Sequence, residues 1–468
     1  MAAVNPESLD PPAGSPLAES TGRSIDRFID SGARRLGKIL LDAGHRALLA
    51  GGCVRDLMLG RTPKDWDLVT DATSGQMTSL FERTVDIGGR RYGILQVHLA
   101  EGTYEVAQLR REEDYSDGRR PDEVVYTHDP AEDAIRRDFT VNGMMYDLAT
   151  NQIVDVVGGQ ADLRDGVIRA IGDPPRRFGE DHLRLLRAVR FAARLGFDIE
   201  PMTWQAIIDA APQIQVISAE RIRDELTLIL TQGGAVCGFG LLLDSGLLQH
   251  ILPEVAALKD VAQPPEHHPE GDVWEHVLLM LAEVDKQADP DVALAWSVLL
   301  HDIGKPPTFT VSDRIRFHGH DALGAEMADR IGRRLRMSND LRRRIVELTR
   351  HHMRFHNAPK MRTAKLRRFL LEAYFPQLLE LHRIDCVGCH GKLDIYDFCR
   401  LEQDELATLE AVTSPARLIN GDDLIDLGYA PGRAFAGMLE WVEDERVEGR
   451  LHDRAAALAA IRRQFPLA

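Results

Sequence analysis

Apolar residues recur at strand spacing and then at helix spacing in the first part of the chain. The apolar run 48–50 stops at Gly51, and after Gly52 apolar residues recur at helical spacing. This order predicts a strand, a tight turn and a helix. Residues 104–109 alternate like a further strand, whereas residues 180–194 lack glycine and proline and carry an apolar stripe typical of a helix.

Two carboxylates stand two positions apart behind this glycine turn. Asp65 and Asp67 are expected on one face of a strand, where two like charges require a cation. Such a pair suits Mg²⁺, which holds a triphosphate and activates a 3′-hydroxyl for in-line displacement. A neighbouring strand offers Glu105 as a third carboxylate, and the glycines let backbone N–H groups approach a phosphate.

The order of these motifs resembles the class II tRNA nucleotidyltransferase and bacterial poly(A) polymerase family, within the DNA polymerase beta superfamily. The matching segments are 51–56, 59–61, 65–67, 136–142 and 155–163, and residues 110–124 resemble the family's flexible loop. The resemblance implies an α/β nucleotidyltransferase head followed by all-α neck, HD and tail domains. It also implies nucleotide binding by Gly52, Arg55, Arg137 and Asp138.

The predicted helix 180–194 carries an acid and an arginine three residues apart, Asp181 and Arg184. A carboxylate accepts from an exocyclic amine and a guanidinium donates to a ring nitrogen or carbonyl, which matches cytosine and adenine. In the resembling family this motif reads the incoming base. Arg187 and Arg190 on the same face are predicted to hold the triphosphate, with tRNA contact or a solvated helix face as the alternatives.

Most of the histidines lie in the second half of the chain. His301 and Asp302 are adjacent, and they resemble the HD phosphohydrolase superfamily. The expected ligands of one or two divalent ions such as Ni²⁺ or Mn²⁺ are His276, His301, Asp302, His320, His351 and Asp385, with His352 as the alternative to His351. A metal there would activate water for attack on a phosphoester.

Composition narrows the class of protein. The 468 residues, 44% hydrophobic and 28% charged, describe an ordinary globular protein, and no apolar run reaches the roughly 18 residues of a membrane span. Five cysteines without a disulfide-like spacing favour the cytoplasm. The net charge of −16 argues against nonspecific coating of nucleic acid, although basic residues concentrate in 184–194 and 342–368. The oligomeric state is not indicated.

These observations predict five segments. They are a disordered tail (1–22), a nucleotidyltransferase head (23–174), a helical neck that reads the base and binds RNA (175–260), an HD domain (261–400) and a helical tail (401–468). The expected function is addition of CMP and AMP from CTP and ATP to the 3′ end of tRNA, with Mg²⁺ as cofactor and an accessory phosphohydrolase activity. The alternatives are a poly(A) polymerase or A-only adding enzyme, a protein that is mainly an HD phosphohydrolase, and a noncatalytic tRNA-binding protein.

Overall fold

The computed structural model describes residues 25–113, 123–266, 268–407 and 417–467. They form two compact units. The N-terminal unit contains the described residues up to Ile229 together with Cys237–Ile251. The C-terminal unit contains Leu230–Val236 and the described residues from Leu252 onward. The predicted disordered tail and most of the predicted flexible loop lie outside the described residues.

The N-terminal unit is built on a sheet with the strand order β3-β4-β5-β2-β1-β8-β9. Its strands are β1 (Leu48–Ala50), β2 (Asp67–Thr70), β3 (Thr84–Asp86), β4 (Ile94–His98), β5 (Thr103–Gln108), β8 (Met145–Asp147) and β9 (Gln152–Val154). Strands β2 and β5 pair in parallel, and the other neighbours are antiparallel. Two-stranded pairs are formed by β6 (Arg110–Glu113) with β7 (Glu123–Tyr126) and by β10 (Val167–Ile168) with β11 (Asp198–Ile199).

Helices precede, follow and interrupt this sheet. They are α1 (Ser31–Asp42), α2 (Gly52–Met58), α3 (Ser74–Leu80), α4 (Gly89–Tyr92), α5 (Pro130–Ile135), α6 (Gly159–Asp165), α7 (Pro174–Glu180), α8 (Leu183–Leu195), α9 (Pro201–Ala210), α10 (Ala219–Thr231), α11 (Ala235–Asp244) and α12 (Leu247–Ile251), with 3-10 turns at Thr140–Asn142 and Ala211–Val216. The strand, turn and helix predicted around Gly51 are confirmed as β1 and α2. The single helix predicted over 180–194 is wrong at its start, because α7 ends at Glu180 and α8 begins at Leu183.

The C-terminal unit is helical apart from one described hairpin. Its helices are α13 (Pro253–Ala256), α14 (Val273–Asp285), α15 (Val292–Leu300), α16 (Lys305–Thr308), α17 (His320–Arg334), α18 (Asn339–His351), α19 (Thr363–Leu370), α20 (Phe375–Cys389), α21 (Asp394–Ala407), α22 (Gly421–Asp426), α23 (Ala434–Val447) and α24 (Arg454–Gln464), with a 3-10 segment at His352–Lys360 and a hairpin of β12 (Phe309–Val311) and β13 (Ile315–Phe317).

Capping and burial explain why the helices of the C-terminal unit begin and pack where they do. The Asp272 carboxylate accepts from the Glu275 N–H and caps α14. Residues 293–300 of α15 are all buried, so this helix forms the centre of the unit. No helix among the described residues combines the length and the apolar character needed to cross a membrane.

Candidate active sites

Carboxylates from two adjacent parallel strands lie side by side in the middle of the N-terminal sheet. Asp67 opens β2 and is the register partner of Glu105 on β5, so the two side chains project from the same face. Partial burial raises the pKa of Asp67. The nearby carboxylates of Glu105 and Asp65 raise this pKa further, whereas Arg137 lowers it, and it reaches about 6. The carboxyl groups are therefore close enough to repel one another, which is the situation a divalent cation relieves.

Asp65 differs from its predicted placement. It lies in a bend two residues before Asp67, and β2 begins only at Asp67. The expectation of two carboxylates on one strand is wrong, because the chain has not yet entered the sheet at Asp65. Its charge nevertheless acts on Asp67.

Arg137 lies beside the glycine turn. Gly51 has a φ of 77°, and a Cβ there would stand 3.0 Å from Arg137 Nη1, so glycine satisfies both the backbone conformation and the close approach. Arg137 Nε and Nη2 donate to Oδ2 of the buried Asp133 at 3.2 and 2.9 Å. Asp133 thus fixes a guanidinium between the turn and the carboxylates, where a phosphate would bind. Gly52 opens α2 at this turn, as predicted.

Arg55 has a different surrounding from the one predicted for a nucleotide contact. It is 2% exposed, and its three guanidinium nitrogens donate to Asp56 Oδ1 at 2.8 and 2.7 Å and to Asn142 Oδ1 at 2.7 Å. These bonds occupy Arg55 beneath the turn and correct the prediction: it supports the turn from inside.

The predicted nucleotide-binding residues Asp138 and Arg187 bind each other. Arg187 Nε and Nη2 lie 2.8 and 2.7 Å from Asp138 Oδ2, and the Phe139 N–H donates to Oδ1 at 2.8 Å. Burial raises the pKa of Asp138, but the Arg187 guanidinium and these hydrogen bonds outweigh it and lower the pKa to about 2. The pair joins α8 to the segment after α5.

The remaining arginines of α8 are also paired. Arg190, 7% exposed, donates from Nε to Glu225 Oε2 at 2.6 Å, and Arg194 lies 3.7 Å from Asp56. The basic stripe of α8 is therefore mostly an internal ion-pair network, neither the solvated face nor the free phosphate clamp considered from sequence. Arg187 keeps a side chain 34% exposed.

The Asp181 and Arg184 side chains do not pair in this structure. Asp181 lies between α7 and α8, and its carboxylate accepts from Arg221 at 2.8 and 3.3 Å. Arg184 is 8% exposed and donates to Glu180 Oε2 at 2.7 Å and to the Arg177 carbonyl at 2.9 Å. The predicted side-by-side geometry is wrong, because both residues have other partners and the helix starts after Asp181.

A second cluster lies in the C-terminal unit. Its five central residues are at most 8% exposed: His276 on α14, His301 and Asp302 after α15, His320 at the start of α17 and His352 after α18. Asp302 joins them, with Oδ2 3.1 Å from His301 Nε2 and Oδ1 3.5 and 3.8 Å from Nε2 of His320 and His352.

The second nitrogen of each ring has an acceptor. Nδ1 of His301, His320 and His352 lies 3.0, 2.8 and 2.7 Å from the carbonyl oxygen three residues earlier. His276 Nδ1 lies 2.9 Å from Glu270 Oε1. Carbonyl and carboxylate oxygens only accept, so Nδ1 carries the proton and Nε2 is free to bind a metal.

The cluster fits a metal chemically. Among the described residues, His276 Nε2 and His301 Nε2 are buried and make no contact with hydrogen-bond geometry, although Asp385 Oδ1 and Asp302 Oδ2 each lie 3.1 Å away. Leaving such atoms unpaired is costly unless an ion binds them. Burial lowers the pKa of His276, but the charges of Asp385 and Glu270 raise it to about 9. Nitrogen and oxygen donors of this kind suit one or two divalent transition-metal ions.

His351 is not part of this cluster. Its ring stacks on Tyr374 with centroids 5.4 Å apart, and Nε2 lies 3.2 Å from Glu347. The next residue, His352, is the one whose ring lies 5.2 Å from that of His320. The structure therefore places the alternative residue, His352, and not His351 in the cluster, since the end of α18 turns the two rings in different directions.

Comparisons with known proteins cover the segments that contain both sites. Three family models match: the poly A polymerase head domain over 47–169, the probable RNA and SrmB-binding site of polymerase A over 196–259, and the HD domain over 273–385. A CCA-adding enzyme of Streptococcus suis is 30% identical over 422 residues, which are 89% of this chain and 92% of that enzyme. The chain belongs to the CCA-adding enzyme family.

Other CCA-adding enzymes match a shorter stretch more closely. That of Lactobacillus helveticus is 38% identical over 259 residues, so the match spans 54% of this chain and 63% of that enzyme. The crystal structure of the Bacillus stearothermophilus CCA-adding enzyme in complex with CTP has a TM-score of 0.70 at 24% identity and covers 92% of this chain and 97% of that one. This likeness concerns the fold, and it confirms the predicted fold class.

Several residues around the two sites were not identified from the sequence. Arg221 holds Asp181, Glu180 holds Arg184, Asp133 holds Arg137, and Gln263 and Glu270 approach the histidine cluster. Most are carboxylates or amides brought in from other segments of the same unit. Glu180 and Asp133, each four residues before the arginine that it holds, are the two that sequence spacing alone could have indicated.

Proposed function

We propose that the chain adds CMP and AMP, from CTP and ATP, to the 3′ end of tRNA and releases pyrophosphate. The observation that carries this proposal is the convergence of Asp67, Glu105 and Asp65 beside the glycine turn and Arg137. Asp65 and Asp67 would hold Mg²⁺, with Glu105 as a third carboxylate. The bound ion supplies charge neutralisation and activation of the 3′-hydroxyl.

In this proposal the chain's own residues orient the nucleotide. Arg137, anchored by Asp133, clamps phosphate oxygens while the turn at Gly51 presents the backbone N–H of Gly52. Arg187, with its partly exposed side chain, is a second phosphate contact. Asp138 and Arg190 act indirectly, because they fix α8 to the rest of the unit.

Base selection is assigned to Asp181 and Arg184. A base that presents an exocyclic amine gives Asp181 a hydrogen bond, whereas guanine and uracil present a carbonyl there. In the described arrangement Arg221 holds Asp181 and Glu180 holds Arg184, so binding of the nucleotide must exchange these partners for the base. The exchange keeps the two side chains neutralised until the correct base arrives.

We further propose hydrolysis of a phosphoester by the C-terminal cluster. Metal ligands would be His276, His301, Asp302, His320, His352 and Asp385, and the ion, Ni²⁺ or Mn²⁺, would acidify a bound water. The buried Nε2 atoms of His276 and His301, each 3.1 Å from a carboxylate oxygen, support this second activity. The scattered spacing of the five cysteines, together with a tRNA substrate, supports a cytoplasmic location.

The decisive experiment supplies purified protein with tRNA that lacks its 3′ end and with each labelled nucleotide in turn. Incorporation of C followed by A supports the proposal. Incorporation of A alone on tRNA ending in CC would instead support the A-adding alternative, and a long A tract would support a poly(A) polymerase. Absence of any incorporation would contradict all three.

A further inference from the structure

The loop before α14 brings an amide into the histidine–aspartate cluster. Its base is closed, because the Val273 N–H donates to the Val261 carbonyl at 3.1 Å and the Asp260 N–H to Asp272 Oδ2 at 2.7 Å. Gln263 lies within the loop and is 5% exposed. A glutamine this buried normally has partners for its amide.

One end of the Gln263 amide has a partner and the other has none. Oε1 accepts from Lys305 Nζ at 2.6 Å, and the same Nζ lies 2.6 Å from Asp302 Oδ2. Because an ammonium group only donates, Lys305 fixes the amide with its oxygen toward Nζ and leaves Nε2 as the remaining donor. Nε2 is buried and has no hydrogen-bond partner within the described part of the chain.

The missing partner must be an acceptor. Lys305 contacts the metal-ligating Asp302 directly, so the amide next to it stands one side chain away from the cluster. We propose that Gln263 Nε2 and Lys305 Nζ form a phosphoryl-oxygen subsite of this cluster, for the phosphate of a phosphomonoester or phosphodiester. This inference rests on the hydrolysis proposed above, and it identifies the groups that would orient the substrate's phosphate.

A purely structural Gln263 would only hold Lys305, whereas the proposed subsite also needs its N–H to bind phosphate. One substitution separates these two roles. Gln263→Glu keeps an oxygen for Lys305 and nearly the same shape, but it replaces the amide donor by a carboxylate oxygen that repels phosphate. Gln287→Glu makes the same chemical change at an amide that contacts Glu380. It serves as the matched control.

The test uses the full chain loaded with Mn²⁺ and two readouts. Inorganic phosphate binding is measured by titration calorimetry, and hydrolysis of 2′,3′-cyclic AMP gives kcat and KM. We expect Gln263→Glu to weaken phosphate binding and raise KM by roughly tenfold to a hundredfold, the range for a lost charge-assisted hydrogen bond, with kcat changed by less than about threefold. Gln287→Glu should match the unaltered protein.

Equal phosphate affinity in Gln263→Glu and the unaltered protein would overturn the subsite, as would an unaltered protein that binds no phosphate. Gln263-dependent phosphate binding without any hydrolysis would support the subsite while removing the proposed hydrolytic activity. If Gln263→Glu fails to retain Mn²⁺, Gln263→Met replaces it. Weakened phosphate binding with the metal retained supports the subsite, and unchanged binding contradicts it.

Discussion

The two candidate metal sites of this chain differ in the burial and in the chemical type of their ligands. At the N-terminal site Asp67 and Glu105 are exposed carboxylates on paired strands, Glu105 helps to raise the pKa of Asp67, and Asp65 stands outside the strand. In the C-terminal unit four buried imidazoles surround Asp302, each with Nδ1 already bound to an acceptor. Carboxylates alone suit Mg²⁺, whereas imidazole with carboxylate suits transition metals.

This difference indicates when each site becomes complete. The exposed carboxylates repel one another until a cation and a triphosphate arrive together, so metal and substrate should bind as one step. The imidazoles are oriented before any substrate is present, so the C-terminal cluster should retain its metal between turnovers. Each prediction below separates the two sites or sharpens their contrast.

The largest contrast concerns the adjacent histidines. His352→Ala removes a buried ring beside Asp302, and we expect hydrolysis of a 2′,3′-cyclic nucleotide to fall at least about a hundredfold, with loss of bound metal. His351→Ala, the matched control, removes a ring stacked on Tyr374 and should change that rate by less than about threefold. Nucleotide addition should be the same in both. Equal losses of hydrolysis would refute the assignment of His352.

A substitution at Asp133 tests whether the N-terminal site depends on buried ion pairs. Asp133→Asn removes half of a buried ion-pair group with Arg136 and Arg137, and we expect the free energy of unfolding of the N-terminal unit to fall by roughly 3 kcal/mol. Urea unfolding measures this change. Asp42→Asn, at an exposed pair with Lys38, should leave the transition unmoved. Equal effects of the two variants would show that burial of the pair is irrelevant.

Asp181→Ala is expected to relax the choice of nucleotide. Loss of the carboxylate removes the group that rejects guanine and uracil, so the preference for CTP and ATP over GTP and UTP should fall by roughly tenfold to a hundredfold. Ratios of kcat/KM for the four nucleotides measure it. Arg221→Lys keeps a cation near Asp181 and should preserve the preference. A variant without Asp181 that still excludes GTP would show that other groups read the base.

Acid should affect the two sites differently. The pKa of Asp67 is raised to about 6, so this carboxyl becomes protonated as the pH falls through that value and then competes with Mg²⁺. Addition at limiting Mg²⁺ should drop about tenfold per pH unit below 6, and excess Mg²⁺ should move the break to lower pH. Burial raises the pKa of Asp302, but His301 and Lys305 outweigh it and hold the pKa well below its usual range. The Asp302 carboxylate therefore stays ionised. A break in nucleotide addition at pH 6 that did not move with the Mg²⁺ concentration would contradict the assignment of Asp67 as a Mg²⁺ ligand.

The sequence alone predicted those parts of the structure whose geometry follows from local periodicity. The alternation in 104–109 and the glycine turn predicted the strands that bring Asp67 and Glu105 together, because neighbours on one sheet face are set by register. Asp181 was misplaced because Arg221, 40 residues away, binds it outside the helix. His351 and His352 could not be separated, since only the end of α18 decides which ring turns inward.

Gln263 is a further residue whose position in the site the sequence could not indicate. It lies in a loop without periodicity, and its importance comes from a contact with Lys305, 42 residues later in the chain. No spacing rule predicts such a pair. The histidines themselves were predictable because ligand residues of this kind are rarely placed at random in apolar helices.

The most direct test of the whole account measures single-nucleotide addition by the variant with both Asp65→Ala and Asp67→Ala on tRNA lacking its 3′ end. We expect a loss of at least about a thousandfold in the rate of CMP and AMP incorporation, because Glu105 alone would remain of the three carboxylates proposed to bind the cation. Hydrolysis by the C-terminal cluster should persist and show that the protein is folded. Addition at the unaltered rate would contradict the account.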